Sequence, residues 1–599
     1  MNAIAMGIGR ALLTATLVAL VLLSGLCGRL QAATPANATS PLGMNLLQLS
    51  YYSAEQPFLD IFKTTGVSSA TPTGWLTHSE TAWDTREQEY LQLDPAGYPK
   101  TLRANSSDPH SPQLFDSLGV LLLRDLPAAN AGTGLRYRPG EYIVLYEGEG
   151  TLTYGMDAQL VKASPGRDRI EVARPSGAGI DLRITATDPR HNGNYIHNIR
   201  VVKAEEEQLL RAGQMFRPGF VSLLQRFRVL RGVQWLNVDE EAGGRLTNWS
   251  SRPLLSDAGW SSKRGVPLEV VLQICNAVSA DCWLNVPHQA SDDYITQMAR
   301  LAHSGLGNGQ KIYLEFSNEV WNSDYEQYRY AIQQGRATWP AATASPDEYN
   351  RSWYGMRTAQ MCDIWKAVWG ADGARVICVL AAQSADLQTA IQSLICPLWV
   401  GSGHGPCFKH NVNAVAIAGY FGFRAPAAWT AQPDGGLNSL FASMSTRNDP
   451  SIPAGGWLGA VSHSVTEFRA ALEAYKLPLI GYEGGQSFVG FPQHRDGSPL
   501  VNLYIAANRD PRMGAVYTDA LKMWKADGGQ LWVLFGDVFA PDQYGIWGAL
   551  ESYLDTVEPL NKAPPKWQAI QNFISNNPCW WPGCAAQLSA PSAPPAARP

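Results

Sequence analysis

No CxxC pair, no HExxH and no GxSxG occurs anywhere in the 599 residues. Without the first two, the usual zinc frameworks and the zinc hydrolases lose their ligand sets, and without the third the serine nucleophile elbow is gone. Charge of one sign is also scarce. Forty-seven basic and 52 acidic residues give a net charge of -5, with no long block of either. The electrostatic footprint of a nucleic-acid binder is therefore missing, and a neutral ligand fits better. Beyond the N-terminus no apolar stretch approaches the ~20 residues of a membrane span, so no membrane association is expected after export.

Aromatic residues are plentiful instead, with 20 Trp and 23 Tyr, and their flat faces are the surfaces on which sugar rings stack. At the start, Arg10 precedes the apolar run "ALLTATLVALVLLSGL" and small residues follow to Ala32. This reads as an export signal over residues 1–32, which makes the mature chain secreted or periplasmic. Cys27 is preceded by Leu26, which does not make a lipid-anchor box. Its removal leaves eight of nine cysteines, an even number in an oxidising compartment. Nearest neighbours in sequence predict four local bridges: Cys275–Cys282, Cys362–Cys378, Cys396–Cys407 and Cys579–Cys584. No metal and no other cofactor is expected, and the chain is read as a monomer.

From about residue 220, short apolar β-branched runs alternate with helix-compatible segments, the pattern of βα units around a parallel sheet. Seven runs qualify: "RFRVLRGV", "CWLNVPH", "KIYLEFSNE", "ARVICVLAAQ", "VNAVAIAGYF", "LPLIGYEGG" and "GQLWVLFGDV". "GMNLLQLSYY" at Gly43 to Tyr52 supplies an eighth, as the first strand of a (β/α)8 barrel. The barrel is then interrupted. "GEYIVLYEGEGTLTYG", "DRIEVARP", "GIDLRITATDP" and "IHNIRVVKA" alternate with period two, which is antiparallel sandwich patterning. The expected organisation is a first strand with connecting loops over 41–134, an inserted all-β module over 135–205, the rest of the barrel over 206–584, and an Ala/Pro-rich tail over 585–599.

Barrel enzymes carry their chemistry at the C-terminal ends of strands. In "KIYLEFSNEVWN" a strand ends on Asn318-Glu319, and in "LPLIGYEGGQSF" another ends on Glu483 between apolar residues and two glycines. Two carboxyls at one mouth are the minimal equipment for glycosidic cleavage, one protonating the leaving oxygen and the other attacking or activating water.

"EFSNEVWN" and "GYEGG" resemble the fourth- and seventh-strand signatures of the clan A glycoside hydrolases, retaining (β/α)8 enzymes. The resemblance implies that Glu319 is the general acid/base and Glu483 the nucleophile. It also implies that Arg231 orients the nucleophile, that Asn318 bonds the sugar 2-OH, that Tyr420 bonds Glu483, and that His288 reaches the glycone. Here Val320 stands where many members carry Pro. The eighth strand of the clan delivers a Trp beneath the sugar, whereas Trp532 comes early in its strand and Phe535 nearer the end. Trp235, Trp249, Trp321 and Trp547 fall on strand-to-helix connections where a polysaccharide cleft would form. The chain as a whole also resembles secreted bacterial proteins often labelled cellulose-binding, through "PFLDIFK", "VLRGVQWLN", "WLNVPH" and "YLEFSNEVWN". The expected activity is endo-hydrolysis of a β-linked glucan or related exopolysaccharide. The alternatives are a non-catalytic carbohydrate-binding protein on the same barrel and a polysaccharide transglycosylase.

Overall fold

A computed structural model describes residues 35–65, 74–104, 114–126, 136–239 and 241–584. Residues 1–32, where an export signal is expected, and the Ala/Pro-rich tail over 585–599 lie outside the described residues. Strand β1 (Leu42–Asn45) opens a closed, wholly parallel eight-stranded barrel, and an all-β insertion follows it. The insertion holds β2 (Leu76–His78), β3 (Ser117–Leu122), β4 (Gly140–Glu147), β5 (Gly150–Met156), β6 (Ala158–Lys162), β7 (Arg167–Val172), β8 (Ile180–Thr187) and β9 (His197–Lys203). The barrel resumes with β10 (Val229–Arg231), β11 (Asp281–Val286), β12 (Ile312–Phe316), β13 (Val376–Ala382), β14 (Val412–Phe421), β15 (Leu479–Gln486) and β16 (Trp532–Leu534). β1 pairs with both β10 and β16 and so closes the ring. Glu319 follows the fourth barrel strand, and Glu483 lies on the seventh.

Period-two alternation decides what each strand presents to the barrel interior. Val229, Trp283, Val379, Ala416, Ile480 and Val533 pack together there. One step further along the strands the inward positions turn polar: Asn45 lies two residues after Gly43, Arg231 after Val229, Asn285 after Trp283 and Glu315 after Tyr313. Gly43 is required by closure, because a Cβ there would lie 2.8 Å from both the Val229 carbonyl and a Val533 methyl. The outward faces pack on helices. The longest of these, Pro346–Trp369, starts in a capping box between Ser345 and Glu348 with Pro at its first turn.

The insertion is a two-layer antiparallel sandwich, with sheet orders β2-β3-β8-β5 and β6-β7-β4-β9. Its core includes Leu118, Val120, Val144, Ile170, Leu182 and Val201. The sandwich therefore begins well before residue 135. Strands β2 and β3, which the sequence reading leaves among connecting loops, complete one sheet; β2 has only three residues, too few for a visible alternation. The first barrel strand is shorter than "GMNLLQLSYY". After Asn45 the chain leaves the sheet, and Ser50 and Ser53 bond each other and the backbone of a turn instead.

Three of the four expected bridges are present: Cys275–Cys282, Cys396–Cys407 and Cys579–Cys584. The fourth is not. Cys362, on the Pro346–Trp369 helix, and Cys378, on β13, meet as buried free thiols. Burial, with Cys378 beside it, pushes the Cys362 thiol well above its usual range. Two thiols per chain lacking residues 1–32 should therefore react with a thiol reagent in denaturant without reductant, and none in the native protein; a count of zero in denaturant would restore the fourth bridge.

Candidate active site

Both carboxyls come to the mouth on constrained backbone. Ser317 and Glu319 have left-handed conformations (φ 58° and 45°), uncommon for residues with a side chain and concentrated at functional sites. On β15, Glu483 is followed by Gly484 and Gly485, at φ 157° and 121°. A Cβ on Gly484 would fall 2.4 Å from the Trp532 indole nitrogen, and one on Gly419 2.6 Å from the same ring, so glycine on two strands makes room for Trp532.

Arg231 is the hub beneath the site. It is wholly buried, and its guanidinium donates to Glu483 Oε1 (2.6 Å), Glu315 Oε2 (2.8 and 3.2 Å), Asn318 Oδ1 (2.9 Å) and Asn45 Oδ1 (3.1 Å). A buried ion costs several kcal/mol unless it is paired and bonded. Here burial, which alone would lower the Arg231 pKa, is outweighed by the Glu315 and Glu483 carboxylates, and the charge is held more firmly than in water. Glu315 is wholly buried and also receives Trp283 Nε1 and Asn285 Nδ2, each at 2.8 Å. Burial raises its carboxyl pKa while Arg231 opposes the rise.

The two mouth carboxyls have contrasting surroundings. Glu483, 7% exposed, takes its bonds from cationic Arg231 and from the Tyr420 hydroxyl at 2.8 Å. Glu319 takes bonds from two neutral groups, the Tyr482 hydroxyl and Asn322 Nδ2, both at 2.9 Å. Burial, reinforced by the Glu483 charge, pushes the Glu319 carboxyl up to about 7. One carboxyl thus has a permanent cation against it, and the other is raised by burial among neutral donors.

The remaining sequence candidates divide. Tyr420 packs edge-on against Trp547 (5.6 Å), which packs edge-on against Phe535 (5.4 Å), so Trp547 and Phe535 line the Glu483 side of the mouth, both half-buried. Trp321 is half-buried. Trp532 is 1% exposed, stacks on Trp524 and donates to the Glu483 carbonyl at 3.1 Å; it supports the strand from behind rather than offering a face to a sugar. Trp235 is 1% exposed and wedged among Phe58, Phe216 and Phe220, a core residue closed to ligand. His288 is 3% exposed, packs against Tyr330, and lies so close beneath Gly244 that a Cβ there would strike its ring. Burial drops its pKa to about 4, so it is neutral and belongs to the packing of that loop.

Sequence reasoning missed Asn45, Trp283, Asn285, Glu315, Asn322 and Tyr482. The signal for Glu315 was available: an inward-facing Glu on an apolar barrel strand needs a cationic partner, and Arg231 was the inward cation nearby.

No protein-family model matches the chain, and no curated protein matches it either. Among solved structures the chain is similar to an endo-1,4-β-xylanase from Caldicellulosiruptor owensensis, at 10% identity over 60% of this chain and 93% of that one, with TM-score 0.32. It is similar to a broad-specificity endoglucanase from Clostridum cellulovorans at 9% identity, 62% and 85% coverage and TM-score 0.29. It is also similar to a 4-O-α-L-rhamnosyl-β-D-glucuronidase from Fusarium oxysporum 12S at 13% identity, 60% and 65% coverage and TM-score 0.33.

Proposed function

We propose that the chain is an exported retaining glycoside hydrolase that cleaves a β-linked polysaccharide internally, with Glu319 as general acid/base and Glu483 as nucleophile. The observation that carries this reading is the contrast between the two mouth carboxyls, Glu483 against Arg231 and Glu319 raised to about 7 among neutral donors. In the first step the Glu319 carboxyl gives its proton to the glycosidic oxygen as the C–O bond breaks, and the Glu483 carboxylate bonds to the anomeric carbon. In the second, the Glu319 carboxylate takes a proton from water, the water oxygen attacks the same carbon, and Glu483 is released as a carboxylate. The Tyr420 and Arg231 bonds hold Glu483 in line. Asn318 has its oxygen engaged by Arg231, which leaves its amide N–H groups for a sugar hydroxyl. Trp547 and Phe535 supply apolar surface for the ring.

Two displacements at one carbon retain its configuration. Proton NMR of a reaction on a β-linked oligosaccharide should show the β-anomer first, with the α-anomer growing in only by mutarotation. An α-anomer at the earliest time points would mean single displacement, and Glu483 would then be a base rather than a nucleophile.

A further inference from the structure

The outer face of the β2-β3-β8-β5 sheet carries an aromatic platform outside the barrel site. Trp83, in the turn after β2, is 48% exposed. It stands edge-on to His78, with ring centres 5.0 Å apart, and the Arg183 guanidinium lies 4.4 Å from its ring centre. On β8, Ile180, Leu182 and Ile184 point into the sandwich, so Asp181 and Arg183 point out of it. Gly155, which pairs with Asp181 on the neighbouring strand, adds no side chain to this face. The result is an open groove of about 390 Å³ that includes Trp83, Thr153, Gly155, Asp181 and Arg183 in its walls.

Arg183 Nε donates to Asp181 Oδ2 at 2.7 Å, so the groove contains a closed ion pair. An anionic ligand would meet Asp181 and a cationic one Arg183. A neutral ligand rich in hydroxyls suits both, since it can accept from the guanidinium and donate to the carboxylate. Asp181 adds a specific demand: it is 3% exposed, and its Oδ1 receives no hydrogen bond from the described residues. A buried acceptor left unpaired costs free energy that a ligand hydroxyl would recover.

We propose that this groove binds a segment of neutral polysaccharide, one sugar ring stacking on Trp83 while its hydroxyls bond Asp181 and Arg183. The ligand class matches that of the proposed substrate, but the inference does not rest on turnover in the barrel. An accessory site of this kind would hold polymer on the inserted module and raise its local concentration at the barrel mouth.

The test is affinity electrophoresis of the chain lacking residues 1–32 and carrying Glu483→Ala, through gels containing barley β-glucan, glucomannan or arabinoxylan. At least one polymer should retard it, and Trp83→Ala should weaken that retardation by roughly two- to tenfold, the scale of one lost aromatic contact. Thr153→Arg, which fills the groove and leaves Trp83 and the sandwich core in place, should do the same with an unchanged melting temperature. Retardation unaffected by both substitutions would overturn the proposal, and so would retardation by dextran sulfate alone or by no polymer. The readout is retention, so a chain inactive on every glycoside would still report on this groove.

Discussion

Glu483→Ala should lower kcat on a β-linked polysaccharide by a factor on the order of 10⁴ to 10⁶, as expected when a covalent nucleophile is removed from a site whose members act as a unit. The loss should be chemical and not structural. Arg231 keeps its bonds to Glu315, Asn318 and Asn45 when Glu483 is gone, so no unpaired buried cation is left behind. The variant should therefore melt close to the parent. Kinetics and a melting curve on the same preparation check both parts; a kcat within tenfold of the parent would remove Glu483 from the mechanism.

Glu319→Gln should have the second-largest effect, and its signature is in the pH profile. The carboxyl is raised to about 7, and it must be protonated to act as the acid. Below that value the protonated form dominates and the parent is competent; above it the proton is lost, and kcat/KM should fall about tenfold per pH unit. The glutamine variant has no proton to lose. On polysaccharide it should be slower by roughly 10² to 10⁴, the usual contribution of a general acid, and the alkaline fall should vanish from what remains. With a dinitrophenyl glycoside, whose leaving group needs no protonation, glycosylation should be nearly unimpaired. A variant that keeps the parent's alkaline limb would show that another group carries the proton.

Much of this site could be read from the sequence because its two acids sit where the chain's patterning changes. "KIYLEFSNE" and "LPLIGYEGG" are apolar runs broken by a carboxyl, although Glu483 stands within its strand, which continues to Gln486, and Glu319 lies three residues beyond the end of its own. Arg231 entered only through the resemblance, and its bonds to Glu483 and Glu315 come from the register of the barrel strands. The groups that tune the acids were not legible. Tyr482 and Trp283 look like ordinary barrel filling until the register places one hydroxyl on Glu319 and one indole N–H on Glu315. Tryptophan was the least informative residue. Trp235 and Trp547 occupy similar sequence settings, yet the first is closed inside aromatic packing and the second is half-buried at the mouth, because burial depends on what other strands and helices bring against a ring. Nearness in sequence predicted three bridges and failed at Cys362 and Cys378, where a helix and a strand set the geometry and the side chains meet without bonding. The sandwich was visible where its strands are long. Its β2 and β3 were not, since β2 is three residues and the segment between them is rich in turn formers.

The most direct test of the double-displacement account is the product that Glu483→Ala forms from a β-linked dinitrophenyl glycoside in the presence of azide. The vacated space beside Arg231 and Tyr420 should admit the anion, which would attack the anomeric carbon once. The account predicts that azide restores turnover and yields the α-glycosyl azide, of inverted configuration. A β-glycosyl azide, or turnover that does not respond to azide, would contradict it.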